Sequence, residues 1–330
     1  MLMKTAAAPA TLAGLHHLLD AGQAWSATYR GALSNHLPMA QQALLEMGAS
    51  AERLQAFTER EGTHLEPRAV ARAGHIVVER DLGRPDSDAA WRCHFVARMA
   101  ELGPAAALRE ALALLLPGAG AIAFHGLIRT AHAVLAGHEG ELVAGLAHWA
   151  AHFMPLPVRD GGTPLPLADW LAALSTLPRP SASGGLITGR MQAWAGSPAF
   201  ADLAGRLHHG PDTLRELALL AARTYAASGN FTVLHLLTAS HAMSVLQPCW
   251  PTPELPRGFS VAAAAGLLAS GVAPALALDR LPSRPWPALL SAACAQDDAH
   301  VIKLTHAAWR LGRLWPDPAW RRAVERSMPA

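Results

Sequence analysis

Apolar residues recur with a period near 3.6 along almost the whole chain, which is the spacing of one face of an α-helix. The clearest examples are residues 88–101, 105–116, 211–227 and 231–246. No segment alternates between apolar and polar residues convincingly enough for a sheet, and 75–78 comes nearest to a strand. The pattern therefore predicts an all-α fold.

Weaker versions of the same pattern predict the remaining helices. Pro38 suits the first turn of one of them, because the N–H that proline lacks is not needed there. The uncharged run 260–278 is interrupted by Gly266, Gly271 and Pro274, so we expect two buried helices joined by a turn rather than a membrane span. The other predicted helices cover 12–19, 23–29, 38–47, 119–135, 141–153, 167–174, 285–295, the segment from His300 onward, and 318–327.

Proline and glycine concentrate between residues 154 and 185, around the helix predicted at 167–174. Such a segment is typical of a surface excursion, for example a lid. Elsewhere no linker is long or polar enough to mark a boundary, and 330 residues fit one large domain. We predict a single-domain helical bundle over residues 1–330.

Composition narrows the class of protein. The chain is 51% hydrophobic and 16% charged, which provides for a large core. Its net charge of +2 comes without a basic run, which argues against nucleic-acid and anionic-membrane partners. The three cysteines lack CxxC spacing, and Met1–Leu15 lacks the apolar region of a signal peptide. We expect a cytoplasmic protein that binds a small molecule; the oligomeric state stays open.

His300 and Lys303 form an unusual pair at the start of a predicted helix, which Asp297 or Asp298 could cap. Their spacing of three residues places both on one face, about a turn apart. A lysine on an apolar face must reach solvent, pair with an acid or lose its charge. In one interpretation Lys303 pairs with Asp298 or reaches solvent. In the other, Lys303 is a carbamate whose oxygen binds a metal beside His300.

The chain has 17 histidines, and their spacing separates candidate metal ligands from the rest. His148 and His152 have the i,i+4 spacing of two ligands on one helix, but no glutamate follows the first, as zinc proteases require. We therefore interpret this pair as surface or packing residues.

Two further pairs can each give at most one ligand to a single metal. His125 and His132 share a helix face but lie roughly 10 Å apart along the axis. His235 and His241 are six residues apart and point away from each other. His125 and His235 have the more apolar surroundings, and His36 precedes a predicted helix. Separate helices can thus each direct one histidine to a shared centre, as helix bundles often do.

Four short segments, taken together and in order, resemble the questin oxidase-like family. The resemblance extends from about residue 25 to residue 310. The segments are Ser34–Ala40, Phe124–Arg129, His235–Ser240 and Asp298–Lys303.

The resemblance implies an all-helical fold with a buried metal centre. It also implies a non-haem iron held by four histidines and a carboxylated lysine. A carbamate would give Fe(II) a hard oxygen ligand beside the imidazoles. Transferred onto this sequence, the implied ligands are His36, His125, His235, His300 and Lys303.

The family's fungal members act on anthraquinones and related aromatic polyketides, so the resemblance implies an O2-dependent oxygenase that inserts oxygen or cleaves a ring. O2 would be a co-substrate. A reduced nicotinamide such as NADPH would bind only transiently, because the chain has no GxGxxG after a strand. Our candidate catalytic residues are His241, His132 and Arg129. His132, His241 and His306 could also be supporting groups around the metal or structural residues.

Two other functions remain open at this point. Carbamylated lysine with histidines also serves metal-dependent hydrolases, which usually hold two metals and an aspartate ligand, and Asp298 is the nearby candidate. A helical binding protein with structural histidines is the non-enzymatic alternative. It predicts no bound metal in untagged protein.

Overall fold

The computed structural model describes residues 8–69, 74–181, 185–278 and 283–328. Within them, helices dominate and the all-α prediction is confirmed. One small antiparallel sheet pairs β1 (Thr28–Tyr29) with β2 (Leu33–Ser34). The helices are α1 Leu12–Gly22, α2 Leu37–Glu46, α3 Ala51–Gly62, α4 Val78–Asp81, α5 Asp88–Leu102, α6 Pro104–Leu115, α7 His125–Ala136, α8 Glu139–Ala151, α9 Leu167–Ser175, α10 Ile187–Ala195, α11 Pro198–Ala204, α12 Thr213–Ser228, α13 Phe231–Leu246, α14 Arg257–Ser270, α15 Trp286–Cys294, α16 Ala299–Leu314 and α17 Ala319–Ser327.

Four helices form a closed ring at the centre of the fold. α7 packs against α2 and α13, and α16 packs against the same two helices. α13 is buried along nearly its whole length, as expected of a helix that is apolar on every side. α8 packs closely on α7, where a Cβ at Gly126 would come within 2.6 Å of Trp149. One large apolar core extends from Met39 to Val324.

One segment near the amino terminus differs from the sequence-based prediction. Residues 23–29 form turns and β1 instead of a helix, because their backbone bonds a distant segment. The Ser26 amide donates to the carbonyl of Glu66 at 2.8 Å, and the Arg68 amide donates to Ala24 at the same distance. Residues 75–78 are not a strand; α4 begins at Val78.

The helix predicted over 119–135 begins only at His125. Ile122, Ala123 and Phe124 have φ values of 50°, 52° and 69°, so a short left-handed turn precedes it. Left-handed backbone costs roughly 1–2 kcal/mol for each residue with a side chain. Because the segment is buried, its apolar residues imitate a helix pattern.

The run 260–278 also differs from the prediction of two helices. α14 alone covers its first part and ends at Ser270, where Gly271 adopts a φ of +71°. Residues 271–278 continue without a second helix. None of the described helices combines the length and the apolar character needed to span a bilayer.

Candidate metal centre

The ring of four helices brings His36, His125, His235 and His300 into mutual contact. Ring centroids lie 4.8 Å apart for His36 and His125, and 4.9 Å apart for His125 and His235. The circuit closes through His300, whose ring is 5.6 Å from His235 and 4.6 Å from His36. We call these four residues, together with Lys303, the His36 cluster.

Backbone carbonyls orient two of these imidazoles. His125 Nδ1 lies 2.6 Å from the carbonyl oxygen of Ile122, within the left-handed turn. His235 Nδ1 lies 2.8 Å from the carbonyl oxygen of Phe231, one turn earlier on α13. A carbonyl oxygen only accepts, so in both rings the proton lies on Nδ1 and Nε2 keeps its lone pair. Metal-binding histidines are held in this way.

Side chains position the other two imidazoles. The Asp298 carboxylate accepts from the backbone N–H of His300 at 2.7 Å and lies 3.0 Å from His300 Nδ1. Asp298 thus caps α16 and orients a candidate ligand with the same oxygen. The side chain of Asn35 accepts from the amide of Leu37 at 2.9 Å, and this bond fixes the backbone on both sides of His36. One nitrogen of His36 lies 2.7 Å from Nε2 of His125.

The electrostatic environment keeps all four imidazoles neutral. Burial is the main cause that lowers the pKa of His36 and His125 well below the usual range. It lowers the pKa of His235 to about 3, and that of His300 falls as well. One nitrogen each from His36, His125 and His235 lies within 4.8 Å of the others. Neutral imidazoles whose ring nitrogens converge are of the type and arrangement that binds metals.

Lys303 lies one turn after His300 and is only 2% exposed. Burial lowers the pKa of Lys303 to about 7, and the charge of Asp298 opposes that shift. Among the described residues its amine has no hydrogen bond and no ion pair. A partly neutral buried amine is the form that adds CO2 and loses a proton to become a carbamate. Four imidazoles and such an oxygen donor fit iron.

The His36 cluster is reached from one face of the protein. His36 is half-buried at a surface pocket of about 170 Å³. Phe231 is 53% exposed, and its ring lies 4.7 Å from those of both His235 and His300. An aromatic side chain therefore stands between the cluster and solvent. The other residues lining the pocket are Tyr29, Arg30, Glu61, His64 and Leu65.

The candidate catalytic residues are not members of the His36 cluster. Arg129 is buried and forms a two-bond ion pair with Glu141 of α8, with one N–O distance of 3.0 Å. His132, His241 and His306 form a second group of contacting rings. A catalytic role for Arg129, His132 or His241 stays a prediction.

Some residues of the site were not assigned from the sequence. The roles of Phe231 and of the Ile122 carbonyl depend on chain geometry that no spacing shows. The grouping of His132, His241 and His306 had a signal: each follows a residue of the His36 cluster on its own helix by six or seven positions. His148 and His152 contact each other, and His148 is buried with both ring nitrogens unpartnered.

Substitution of Asp298 tests the orientation of His300. Asp298→Ala removes the cap of α16 and is expected to lower the free energy of unfolding by about 1 kcal/mol. It should also weaken metal binding roughly 10- to 100-fold, because His300 loses its orienting oxygen. Asp298→Asn, which keeps an oxygen acceptor, is the matched control. Urea unfolding and chelator competition measure both effects; unchanged metal affinity in Asp298→Ala would contradict this role.

The fold and the site define an all-helical protein with a buried four-histidine and lysine cluster at the centre of its bundle. The model of the family described as questin oxidase-like matches residues 33–308, most of the chain, and the chain belongs to this family. No curated protein matches it significantly. At family level, this membership indicates an oxidoreductase, an oxidase or oxygenase of aromatic polyketides.

Proposed function

We propose that this protein is a non-haem iron-dependent oxygenase that inserts oxygen into, or cleaves, a ring of a polycyclic aromatic substrate. The substrate class is an anthraquinone-like or phenolic polyketide. The observation that carries the proposal is the His36 cluster: neutral imidazoles converge near a buried lysine that acts electrostatically on all four of them and whose amine has no hydrogen bond within the described ranges. Membership of the questin oxidase-like family supports the same reaction class.

His36, His125, His235 and His300 would hold Fe(II), with carboxylated Lys303 as the oxygen ligand. When bound, the iron supplies the redox chemistry that makes O2 reactive towards an aromatic ring. The protein keeps His125, His235 and His300 deprotonated at Nε2 through their Nδ1 contacts to Ile122, Phe231 and Asp298. The carbamate would provide the negative charge that a divalent ion needs in a buried site.

The pocket beside His36 would bind the substrate. Its lining offers the guanidinium of Arg30 and the hydroxyl of Tyr29 to phenolic or carbonyl oxygens. The exposed ring of Phe231 offers a stacking surface for an aromatic substrate next to His235 and His300. A pocket of about 170 Å³ encloses only part of a polycyclic molecule, so the rest would lie along the protein surface.

Proton transfer from a bound phenol would need a base near this pocket. Burial raises the pKa of Glu61, which lines the pocket, and so makes its carboxylate a better proton acceptor. His132 and His241, our candidates from the sequence, are not among the residues that line it. A reduced nicotinamide, where the reaction needs one, would be used transiently from solution.

Iron loading and oxygen uptake test this function. Untagged protein, purified without oxygen and loaded with Fe(II), is offered hydroxylated anthraquinones under 18O2. We expect one iron per chain at the His36 cluster and substrate-dependent uptake of O2, with label in the product. His235→Ala is expected to lose both. Full turnover after iron removal, or turnover without O2, would refute the proposal and point to a hydrolase or another class.

A further inference from the structure

A second group of three histidines lies in the same ring of helices. His132 follows His125 on α7, His241 follows His235 on α13, and His306 follows Lys303 on α16. All three are buried, and one nitrogen of each lies within 4.8 Å of the others. Their ring centroids are 5.2–6.1 Å apart. We call these three residues the His241 cluster.

The fourth helix of the ring orients two of these imidazoles. His132 Nδ1 lies 2.6 Å from the side-chain oxygen of Gln42, and His306 Nε2 lies 2.9 Å from a carboxylate oxygen of Glu46, both on α2. The Gln42 amide also donates to Glu46 at 2.9 Å, which fixes its oxygen towards His132. Both acceptors place a proton on the ring nitrogen that faces them. His132 Nε2 and His306 Nδ1 therefore keep their lone pairs.

Two nitrogens of the cluster are buried without a partner. His241 Nε2 and His306 Nδ1 have no hydrogen bond in the described part of the chain. A buried polar atom left unsatisfied costs roughly 1–3 kcal/mol, so structural histidines are normally paired. In this cluster, the unpaired nitrogens of His241 and His306 lie next to the oriented ring of His132, and each of the three residues belongs to a different helix. That arrangement resembles a ligand set whose central ion is the missing partner.

We propose that His132, His241 and His306 form a second metal site that binds a divalent first-row transition ion such as Zn²⁺. Three neutral imidazoles suit borderline ions of this kind, and three histidines with an open position are a known zinc arrangement. Zinc–nitrogen bonds of about 2.0–2.1 Å imply nitrogens about 3.3 Å apart in a tetrahedral site. The three nitrogens lie within 4.8 Å of one another, so small side-chain movements would bring them to the spacing that a bound ion requires. The Glu46–His306 pair provides the carboxylate behind a ligand that such sites use.

The His241 cluster is a separate site from the His36 cluster. Six or seven residues separate the histidines of the two clusters on α7, α13 and α16, and Lys303 lies between the two levels, three residues before His306. At 1.5 Å per residue, the two levels lie roughly 9–10 Å apart along the helices. Metals bridged by one carboxylate or carbamate are about 3.5–4 Å apart. An ion bound by the His241 cluster would link α7, α13 and α16 directly. Gln42 and Glu46 would connect α2 to the same ion through His132 and His306.

Metal counting on variants tests the proposal. Untagged protein is freed of metal and titrated with Zn²⁺ against a chromophoric chelator, and then with Co²⁺ to record the visible absorption of a tetrahedral site. Two equivalents are expected for the wild-type protein. His241→Phe and His132→Gln should each lose one equivalent and the tetrahedral Co²⁺ signal. Circular dichroism verifies that each variant is folded.

Two controls separate this proposal from the iron site. His235→Phe removes a ligand of the His36 cluster and should retain one equivalent with the tetrahedral signal. His148→Phe removes a buried histidine with unpartnered nitrogens outside both clusters, and it should retain two. If the His36 cluster alone binds no metal, the proposed function is overturned and the proposal of a metal at the His241 cluster is unaffected.

The proposal is overturned if the wild-type protein gives no tetrahedral Co²⁺ signal, or if the His241-cluster variants bind as many equivalents as the wild-type protein. The site can also be tested without variants, by zinc-edge anomalous scattering from wild-type crystals soaked in Zn²⁺. A peak between His132, His241 and His306 supports the site. Its absence from zinc-soaked crystals refutes the site.

Discussion

Lys303→Met is expected to abolish stoichiometric iron binding and turnover, and at the same time to stabilise the iron-free protein. Methionine fills the volume of the lysine without an amine, so it cannot form a carbamate. The Lys303 amine is buried without a hydrogen bond or ion pair among the described residues, which disfavours the folded state. We expect a gain of roughly 1–3 kcal/mol in the free energy of unfolding. Urea unfolding of both metal-free proteins measures it.

The stabilisation should depend on pH in a defined direction. The pKa of Lys303 is about 7 in the folded protein and close to 10.4 in the unfolded chain. Between these values the unfolded chain binds more protons, so the wild-type protein gains stability as pH rises. The penalty of the buried ammonium is fully present below pH 7 and disappears towards pH 10. The advantage of Lys303→Met should therefore be largest at or below neutral pH.

The iron content of Lys303 variants tests whether Lys303 is a metal ligand. Lys303→Glu, which restores an anionic oxygen donor, is the matched control and should retain part of the iron that Lys303→Met loses. Incorporation of ¹³C from labelled bicarbonate into wild-type protein, and not into Lys303→Met, would identify the carbamate. Stoichiometric iron in Lys303→Ala or Lys303→Met would show that Lys303 is not a ligand.

Glu141→Ala is expected to lower the free energy of unfolding by about 3–5 kcal/mol. Glu141 and Arg129 are 3% and 5% exposed, and they form two hydrogen bonds across α7 and α8. Removing one member leaves a buried, uncompensated guanidinium, and this is a large cost in a protein interior. Gln23 also donates to Glu141 at 3.0 Å and loses its acceptor. Chemical denaturation measures the loss.

The double variant Arg129→Met/Glu141→Leu separates stability from catalysis. It replaces the ion pair with apolar residues of similar size, which is often neutral or stabilising. Because Arg129 faces Glu141, we expect the double variant to fold and to keep its iron. Normal turnover would then assign Arg129 a structural role. A folded, iron-loaded but inactive protein would support the catalytic role predicted from the sequence.

Local signals made several elements predictable from the sequence. α13 has the predicted bounds, because Asn230 caps it by accepting from the amides of Thr232 and Val233, and apolar residues follow. Asp298 caps α16 as expected. Helical spacing also indicated that His125 and His132 do not bind the same metal, and the structure places them in different clusters. These inferences depend only on residues within one helix.

Segments whose conformation depends on distant partners were not predictable. Residues 23–29 are held in turns and in β1, and not in a helix, by backbone bonds to Glu66 and Arg68, some forty positions away. The left-handed turn before His125 has the apolar composition of a helix, and only its packing inside the core makes its strained φ values tolerable. The helix propensity of a short segment does not depend on such distant contacts, so it cannot predict them.

By itself, the sequence determined the helical class, the bounds of α13, the capping of α16 by an aspartate and which histidines share a helix face. Those follow from side-chain spacing and local hydrogen bonding. The tertiary structure alone decided that α2, α7, α13 and α16 close into a ring with two levels of histidines, and that Lys303 is buried with no partner in the described part of the chain. Lateral distances between helices arise from packing among residues far apart in the chain, which no local pattern records.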